Sequence, residues 1–275
     1  MSSGYGITNV LTGLAATAFT WSSGYTTNRE RLNDSIQDEL ASGSASAQAS
    51  GQTLTVDLGT ATSLSAIALL NHNLSTGSCT VKVEGGDDAA ISVNPVTAKS
   101  ASTVNTSAPY DKDTLLQFPA VSKRYWRLTF THSGTKTLTI GELLFFASLT
   151  TLTRQTVWGA GESERYAQNR NESNTGFQRA TYLAGPIRTK RLPFKDAVGT
   201  SQRDELMGMW RAARGGVSNL LYADLIESTA TAATSTAMQC LWGKLQASLA
   251  WNQPDYNLYD VDELVLVGQG REAGA

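Results

Sequence analysis

Two runs of alternating side chains near the middle of the chain constrain the fold more than any other feature. In the first run, residues 124–131, three large apolar side chains alternate with polar ones: Trp126, Leu128 and Phe130. A period of two places all three on one face of a β-strand. The second run, residues 138–146, follows a turn predicted over residues 132–136. The two runs predict two strands in a half of the chain that is otherwise polar.

The same period recurs upstream in several short stretches. Apolar side chains stand at alternate positions at Leu54, Val56 and Leu58, and again at Val81 and Val83. Residues 67–70 form an apolar run with the length of a buried strand, and the Gly-Gly-Asp-Asp sequence at 85–88 predicts a turn. Short strands at this spacing predict a β-sandwich over residues 1–149.

Three short motifs, in their order along the chain, resemble the galactose-binding-like jelly roll of discoidin and coagulation-factor C-type domains. They are Val56-Asp57-Leu58-Gly59, Arg124-Tyr125-Trp126-Arg127 and Ile140-Gly141-Glu142-Leu143. The resemblance covers residues 55–147 and implies a jelly-roll sandwich. It also implies a carbohydrate-binding function, in which the loops of this domain bind a host or cell-wall glycan. This function is the alternative to a purely structural role of the chain.

Four residues are candidates for contact with such a glycan. Trp21, Tyr25 and Tyr110 are the aromatic residues that could line one loop edge, and His72 follows the apolar run at 67–70. Aromatic rings also pack in cores and interfaces, so each of the three keeps that alternative. For His72 the alternative is a structural role, in which its ring hydrogen-bonds the turn after the strand.

Length, charge and cysteine content limit the function classes. At 275 residues, two domains are the better expectation, and we place them at 1–149 and 150–275. A net charge of -2 gives no electrostatic reason to expect nucleic-acid recognition. Cys79 and Cys240 are too few for a zinc site or a disulfide framework, and two separate thiols are favoured over one bridge. Without a secretory start or an apolar run of about 20 residues, we expect no membrane span and synthesis in a cytoplasm.

Residues 150–275 predict a β-barrel or β-sandwich with one flanking α-helix. The helix is predicted over 201–214, with Ser201 as its N-cap and Gly215-Gly216 as its end. Its apolar stripe is Leu206, Met209, Trp210 and Ala213. Strands are predicted over residues 178–183, 187–194, 219–225, 238–251 and 261–267.

The basic segment 154–191 has a polar centre, residues 169–176, which predicts a loop or the tip of an arm. Net positive charge in a slightly acidic chain favours contact with an acidic neighbouring subunit. The candidate interface residues are Arg165, Arg170, Arg179, Arg188 and Arg191.

The residues that catalysis or metal binding requires do not cluster in the sequence. His72 and His132 are the only histidines, and neither has metal-ligand spacing from Cys, Asp or Glu. We expect His132 to lie on the surface, at the start of a turn. The chain is therefore expected to be no enzyme and to hold no cofactor.

Three groups of carboxylates keep open interpretations. Asp87 and Asp88 predict a turn. Asp111 and Asp113 could contribute to a calcium site, although solvated loop aspartates are commoner. The third group, which predicts loop polarity or an interface edge, is Asp260, Asp262 and Glu263.

The C-terminal half resembles the belt domain of distal tail proteins of tailed phages, which has the tail-tube fold. The resemblance lies in the order of elements over segments 185–194, 201–216, 219–225 and 240–267. It implies a minor tail protein of the virion, a structural subunit of the tail tip or baseplate. Such a subunit forms a homohexameric ring that joins the tail tube to distal receptor-binding or hub proteins. Here the sandwich precedes the belt, whereas distal tail proteins carry theirs after it.

Overall fold

The computed structural model describes residues 2–22, 28–34, 41–42, 46–47, 51–74, 79–104, 113–132, 135–152, 162–172, 178–226, 240–246, 252–255 and 258–268. The chain divides into two compact units. The N-terminal unit consists of Met1–Thr153 and Leu221–Leu241, and the C-terminal unit of Arg154–Leu220 and Trp242–Ala275.

Most of the described residues lie in β-strands. Those up to residue 153 are β1 (Ser2–Gly6), β2 (Phe19–Trp21), β3 (Ala41–Ser42), β4 (Ser46–Ala47), β5 (Gln52–Leu70), β6 (Thr80–Gly86), β7 (Val96–Thr103), β8 (Thr114–Thr131), β9 (Thr135–Lys136), β10 (Thr139–Ile140), β11 (Glu142–Phe146) and β12 (Thr150–Thr151). The later ones are β13 (Glu162–Glu172), β14 (Gln178–Val198), β15 (Leu220–Ile226), β16 (Cys240–Leu245), β17 (Asn252–Asp255) and β18 (Leu258–Gly268). One α-helix, α1 (Gly199–Ala212), and three short 3-10 helices (Ala16–Ala18, Arg29–Leu32, Arg214–Gly216) complete the described elements. The predicted mainly β fold class is confirmed.

Two unusually long strands, β5 and β8, form the centre of the N-terminal unit. The antiparallel strand order is β11-β5-β8-β6-β7, and β2 also pairs with β5. β5 has 19 residues and β8 has 18, whereas a typical strand has about five or six. A sheet of straight strands this long would not enclose a core, so both strands must bend.

Both long strands double back on themselves at mid-length. Phe118 and Trp126 are eight positions apart on β8, which is about 26 Å of extended strand, yet their ring centroids are 5.7 Å apart. The ring of Trp126 also meets that of Phe145 on β11 edge-on, at 6.5 Å. β11 pairs only with the second half of β5, so the two halves of the β5–β8 pair face each other across the core. The unit is therefore a β-sandwich in which one pair of strands contributes to both layers.

The point where the strands turn, here named the corner, is held by the first two sequence motifs. The Nε and Nη2 atoms of Arg124 each donate to one carboxylate oxygen of Asp57, both at 2.8 Å. The same carboxylate accepts the backbone N–H of Gly59 at 2.7 Å, and Gly59 has a φ of +76°, which glycine adopts without strain. The Nε1 atom of Trp126 donates to the carbonyl oxygen of Lys123 at 3.1 Å. Residues of the first two motifs therefore build the corner.

The core of this unit follows the predicted alternation. Trp126, Leu128 and Phe130 are fully buried, as are the predicted core residues Leu54, Val56, Val81 and Val83. The prediction that His132 lies on the surface is wrong, because its side chain is only 4% exposed. His132 is two positions beyond Phe130, so the same period carries it to the buried face.

In the C-terminal unit, the sheet order is β16-β18-β14-β13, with β17 beside β18. β14 is one continuous strand, whereas the sequence predicted two strands interrupted at Gly185-Pro186. Pro186 is tolerated because β14 pairs only with β13 at this position. The register of that pairing shifts just beyond Pro186, and the pairing of β14 with β18 begins only at Thr189. Of the predicted strand 238–251, the described part is β16 and ends at Leu245.

The β13–β14 hairpin contains part of the segment predicted to be a loop or the tip of an arm. Asn169 pairs with Thr181 and Glu172 with Gln178, so residues 169–172 are strand rather than loop. Residues 173–176 lie outside the described chain. The hairpin extends past the part of β14 that β18 covers, which makes this stretch a two-stranded ribbon.

The predicted helix is present but begins at Gly199, two residues before the proposed N-cap. Ser201 is an exposed residue within the helix. Leu206, Met209 and Ala213 of the predicted stripe are at most 2% exposed, whereas Trp210 is only half-buried. The helix ends in a turn in which Arg214, Gly215 and Gly216 all have positive φ, as the glycine pair predicted.

No helix in the described ranges is long and apolar enough to cross a membrane. Cys79 and Cys240 are buried thiols that are not joined in a disulfide.

Candidate functional site

The end of the sandwich opposite the corner gathers the segments that carry the candidate glycan contacts. Because β5 and β8 double back, both termini of each strand lie at this end. The group of described residues here, named the loop end, is Ser22, 71–74, Cys79, Val104, Asp113, His132 and 137–140. Backbone and side-chain hydrogen bonds tie neighbouring segments together, for example Ser22 to Thr53 and Val104 to Cys79.

His72 lies inside the loop end and not on its surface. Its side chain is 1% exposed, its Nδ1 accepts the backbone N–H of Leu74 at 3.2 Å, and its Nε2 lies 2.9 Å from the Thr114 hydroxyl. Since Nδ1 accepts a hydrogen bond, Nε2 carries the proton and donates it to that hydroxyl. This is the structural alternative given for His72, in which the ring holds the turn after β5.

Two neighbouring asparagines fix the rest of this turn. The backbone N–H of Asn71, which has a φ of +48°, donates to the buried carboxylate of Asp113 at 3.0 Å. The side-chain amide of Asn73 donates to the carbonyl of Thr137 at 2.8 Å and accepts the N–H of Thr139 at 3.1 Å. The loop end therefore presents a rigid polar framework rather than a single loose loop.

Of the aromatic candidates, only Trp21 is described. It is 2% exposed and its ring lies 5.9 Å from that of Phe130, so it packs in the core, the alternative that its sequence position left open. Tyr25 and Tyr110 lie outside the described residues. In the sequence, Tyr25 is three positions after Ser22 and Tyr110 is three positions before Asp113.

The carboxylates near the corner are satisfied by local donors. The amide of Asn94 and then the ammonium of Lys123 hold the pKa of Asp87 below its usual value. The backbone N–H of Val93 and the side chain of Ser92 do the same for the pKa of Asp88. These bonds close the loop between β6 and β7, which confirms that Asp87 and Asp88 form a turn.

The other carboxylate groups give no described ligand set. Asp113 is buried and caps Asn71, Asp111 lies outside the described residues, and the side chains of Asp260, Asp262 and Glu263 are likewise not described. Within the described ranges, no group of three or more His, Cys, Asp or Glu side chains is arranged to hold a metal ion.

The candidate interface arginines lie on the β13–β14 hairpin. The register places Arg165 opposite Ile187, Arg170 opposite Ala180 and Arg179 opposite Asn171. Arg188 is 5% exposed, whereas Arg191 is exposed. Of these two, only Arg191 is accessible at the protein surface.

Several buried charged residues escaped the sequence analysis. Lys99 and Glu142 are fully buried, and Lys190 is 6% exposed. Glu142 belongs to the third motif, and the burial of Lys190 follows from alternation with Leu192 and Phe194 on β14. For Lys99 no pattern in the sequence signals burial.

Comparison with known proteins bears on the N-terminal unit. The NedA-like, galactose-binding domain matches residues 31–128, a range that ends within β8 and includes the first two motifs. The N-terminal domain is galactose-binding-like. No curated protein matches the chain.

Three solved structures overlap about half of the chain. The first is a mutant of chitosan-binding module 1 from a chitosanase/glucanase of Paenibacillus sp. IK-5, at 19% identity, TM-score 0.39, and coverage of 51% of this chain and 99% of the module. The second is CpGH89CBM32-5 from Clostridium perfringens, in complex with GalNAc-beta-1,3-galactose. Its sequence identity is 12% and its TM-score 0.38, and the match covers 48% of this chain and 97% of that one. The third is the CBM32 of AlyQ in complex with 4,5-unsaturated mannuronic acid. Its sequence identity is 21% and its TM-score 0.35, and the match covers 53% of this chain and 98% of that one.

Proposed function

We propose that the chain binds carbohydrate through the loop end of its galactose-binding-like domain. The match of residues 31–128 to a galactose-binding domain is the observation that carries this proposal. The matched range contains β5, the turn at 71–74 and most of β8, which together build the loop end. The proposed function of this domain is recognition of a glycan.

The geometry of the loop end supports the proposal. Sugar sites combine a few fixed polar groups with an apolar or aromatic surface, and preorganisation limits the entropy lost on binding. Asn71, His72 and Asn73 sit in a turn fixed by five hydrogen bonds, namely those to Asp113, Thr114, Leu74, Thr137 and Thr139. The proposal assigns the aromatic contact to Tyr25 and Tyr110, the candidates that the sequence offers.

Titration of the full chain with galactose and with a panel of glycans tests this function. Tyr110→Ala and Tyr25→Ala should each weaken binding at least tenfold, as expected for a lost stacking contact of about 1.5 kcal/mol. Tyr125→Ala is the matched control, because Tyr125 stands at the corner, where the Arg124 guanidinium lies 4.7 Å from its ring. Absence of binding to every glycan in the panel would reject the proposal, as would equal losses in all three variants.

A second function, assembly, is proposed for the C-terminal unit. The observation that favours it is the two-stranded ribbon of β13 and β14, whose backbone edges no third described strand covers. Uncovered edges of this kind commonly pair with another chain. We infer a structural subunit of a tail tip or baseplate in a virion, forming a ring, as the resemblance to distal tail proteins implies. The two functions are compatible in one chain, since a virion component can both assemble and contact a glycan.

Deletion of residues 169–176 tests the assembly function. The wild-type protein should form a ring of several copies by light scattering, and the deletion should reduce it to smaller species. Retained glycan binding serves as the control for a folded N-terminal unit. Normal assembly of the deleted protein would make the ribbon tip an idle segment, whereas global unfolding would place it in the core; either result contradicts an assembly arm.

A further inference from the structure

The ring of His72 connects the turn at residues 71–74 to the start of β8. Its Nδ1 accepts the backbone N–H of Leu74 at 3.2 Å, and its Nε2 donates to the hydroxyl of Thr114 at 2.9 Å. The first contact shapes the turn, and the second holds it against β8. Both His72 and Thr114 are buried, so the ring makes these contacts away from bulk water.

These two contacts require a neutral ring. A neutral imidazole has one donor and one acceptor nitrogen, whereas the imidazolium cation has two donors. Protonation of Nδ1 would point its new hydrogen at the N–H of Leu74, so that two donors would face each other where a hydrogen bond stood. It would also place a positive charge on a ring that is 1% exposed, and burial of a charge costs free energy. Protonation of the ring therefore opposes the closed turn.

Three other buried titratable groups lie at the loop end or next to it. The carboxylate of Asp113 accepts the N–H of Asn71, His132 follows β8, and Glu142 stands opposite Leu70, the last residue of β5. Between about pH 7.5 and pH 5, the usual pKa of histidine, about 6.5, is crossed, whereas that of carboxyl groups, about 4, is not. The charged residues that adjoin these groups in the sequence, and whose side chains are not described, are Asp111, Lys112 and Lys136.

We propose that His72 is a positioning residue of the loop end, and that its protonation opens the turn at 71–74 and weakens glycan binding. The inference rests on the proposed carbohydrate-binding function and adds a control by pH to the same site. Above about pH 6.5 a histidine is mostly neutral, so the turn is closed and the polar framework is complete. Below that value the open turn takes up a proton that the closed turn excludes, so the open fraction grows by up to about tenfold per pH unit. Binding is therefore strongest near neutral pH and falls on acidification.

The ratio of galactose affinities at two pH values, measured by calorimetry on the full chain, tests this control. For the wild type, the dissociation constant should rise about fivefold to thirtyfold between about pH 7.5 and pH 5, since about thirtyfold is the limit for one proton. His72→Gln keeps a side chain that accepts and donates but does not titrate, so its ratio should stay within about twofold. His132→Gln is the matched control, because His132 is a second buried histidine at the same end. It should keep the wild-type ratio, as should Asp113→Asn and Glu142→Gln.

Hydrogen exchange of peptides that span residues 70–74 gives a second readout, which needs no glycan. Protection relative to the intrinsic exchange rate at each pH should fall on acidification in the wild type and stay constant in His72→Gln. If His72→Gln does not fold, the wild-type measurement still decides. Equal protection of the turn at both pH values would overturn the control by pH.

The outcomes separate the control by pH from the function on which it rests. A wild-type protein that binds neither galactose nor any glycan of the panel, but whose turn loses protection in acid, overturns the binding function and leaves the titration of the turn standing. Equal galactose affinity at both pH values overturns the control and leaves the binding function standing. A wild-type ratio that persists in His72→Gln, or that disappears in one of the control variants, also overturns it, because another group then senses the proton.

Discussion

Removal of the Trp126 side chain is the sharpest test of the doubled-back sandwich. The residue is fully buried, and its ring lies 5.7 Å from Phe118 and 6.5 Å from Phe145 by centroid. Trp126 belongs to one half of β8, Phe118 to the other half, and Phe145 to the opposite layer. Trp126→Ala therefore opens a cavity between layers and not within one.

The magnitude follows from these contacts. Truncation of a buried tryptophan to alanine costs about 3–5 kcal/mol, and each lost aromatic contact adds about 0.5–1.5 kcal/mol beyond its buried area. The lost hydrogen bond to the Lys123 carbonyl adds little, because that residue is half-exposed at the corner and water can replace the indole. We expect a loss near the top of that range, about 4–5 kcal/mol.

Urea unfolding measured by circular dichroism would give the free energy of the change. Hydrogen exchange of peptides from β5, β8 and β11 would assign it to the N-terminal unit, because the chain has two units and is not expected to unfold in one step. Thr55→Ala on the outer face should change stability by less than about 0.5 kcal/mol. A loss below about 1 kcal/mol for Trp126→Ala, or unchanged exchange in β11, would refute a tryptophan that joins the layers.

Three further predictions concern other parts of the molecule. The hydrogen bonds from Arg124 lower the folded-state pKa of Asp57, so the stability lost in Asp57→Asn should be constant at neutral pH. The stability difference between wild type and Asp57→Asn should begin to shrink below about pH 4, the usual pKa of an aspartate, and should vanish as the pH falls through the lowered folded-state pKa. Urea unfolding at several pH values would measure this difference. Met209→Ala should cost about 2–5 kcal/mol and Trp210→Ala distinctly less by thermal unfolding, since only Met209 is fully buried. Gly216→Ala should lower the melting temperature of the C-terminal unit by more than a typical substitution, because the new methyl group meets a carbonyl oxygen.

How far the sequence predicts the structure depends on the period of its side chains. Where apolar and polar residues alternate, as at residues 54–58 and 126–130, both the strand and its buried face are predicted correctly. The surface prediction for His132 is wrong because its position in the same alternation, and not the polarity of its side chain, decides which face it occupies. The doubling back of β5 and β8 was not predicted, because alternation continues through a corner and does not indicate a change of layer.

The candidate site was predictable only in part. The position of His72 after an apolar run predicted a turn residue, and the structure gives it that role. For Trp21 the sequence favours a core or interface position over a sugar contact without deciding between them, and the structure places it in the core. The buried Lys99 depends on contacts between distant segments, which no local pattern records. The boundary of α1 differed by two residues because Ser201 has the chemistry of a cap but lies inside the helix.

The corner between the two halves of β5 is the part of this domain whose length can change. From Asp57 to Thr62, β5 advances five positions while its partner β8 moves only from Tyr125 to Lys123. The extra residues of β5 therefore lie between the stretch that pairs with β8 in one layer and the stretch that pairs with β8 in the other layer. An insertion of odd or even length at the corner would therefore leave the inward faces of both layers unchanged, whereas one extra residue inside either half would turn a face outward. The corner is the place where this sandwich can accept new sequence, such as a peptide tag or a second binding loop, without losing its core.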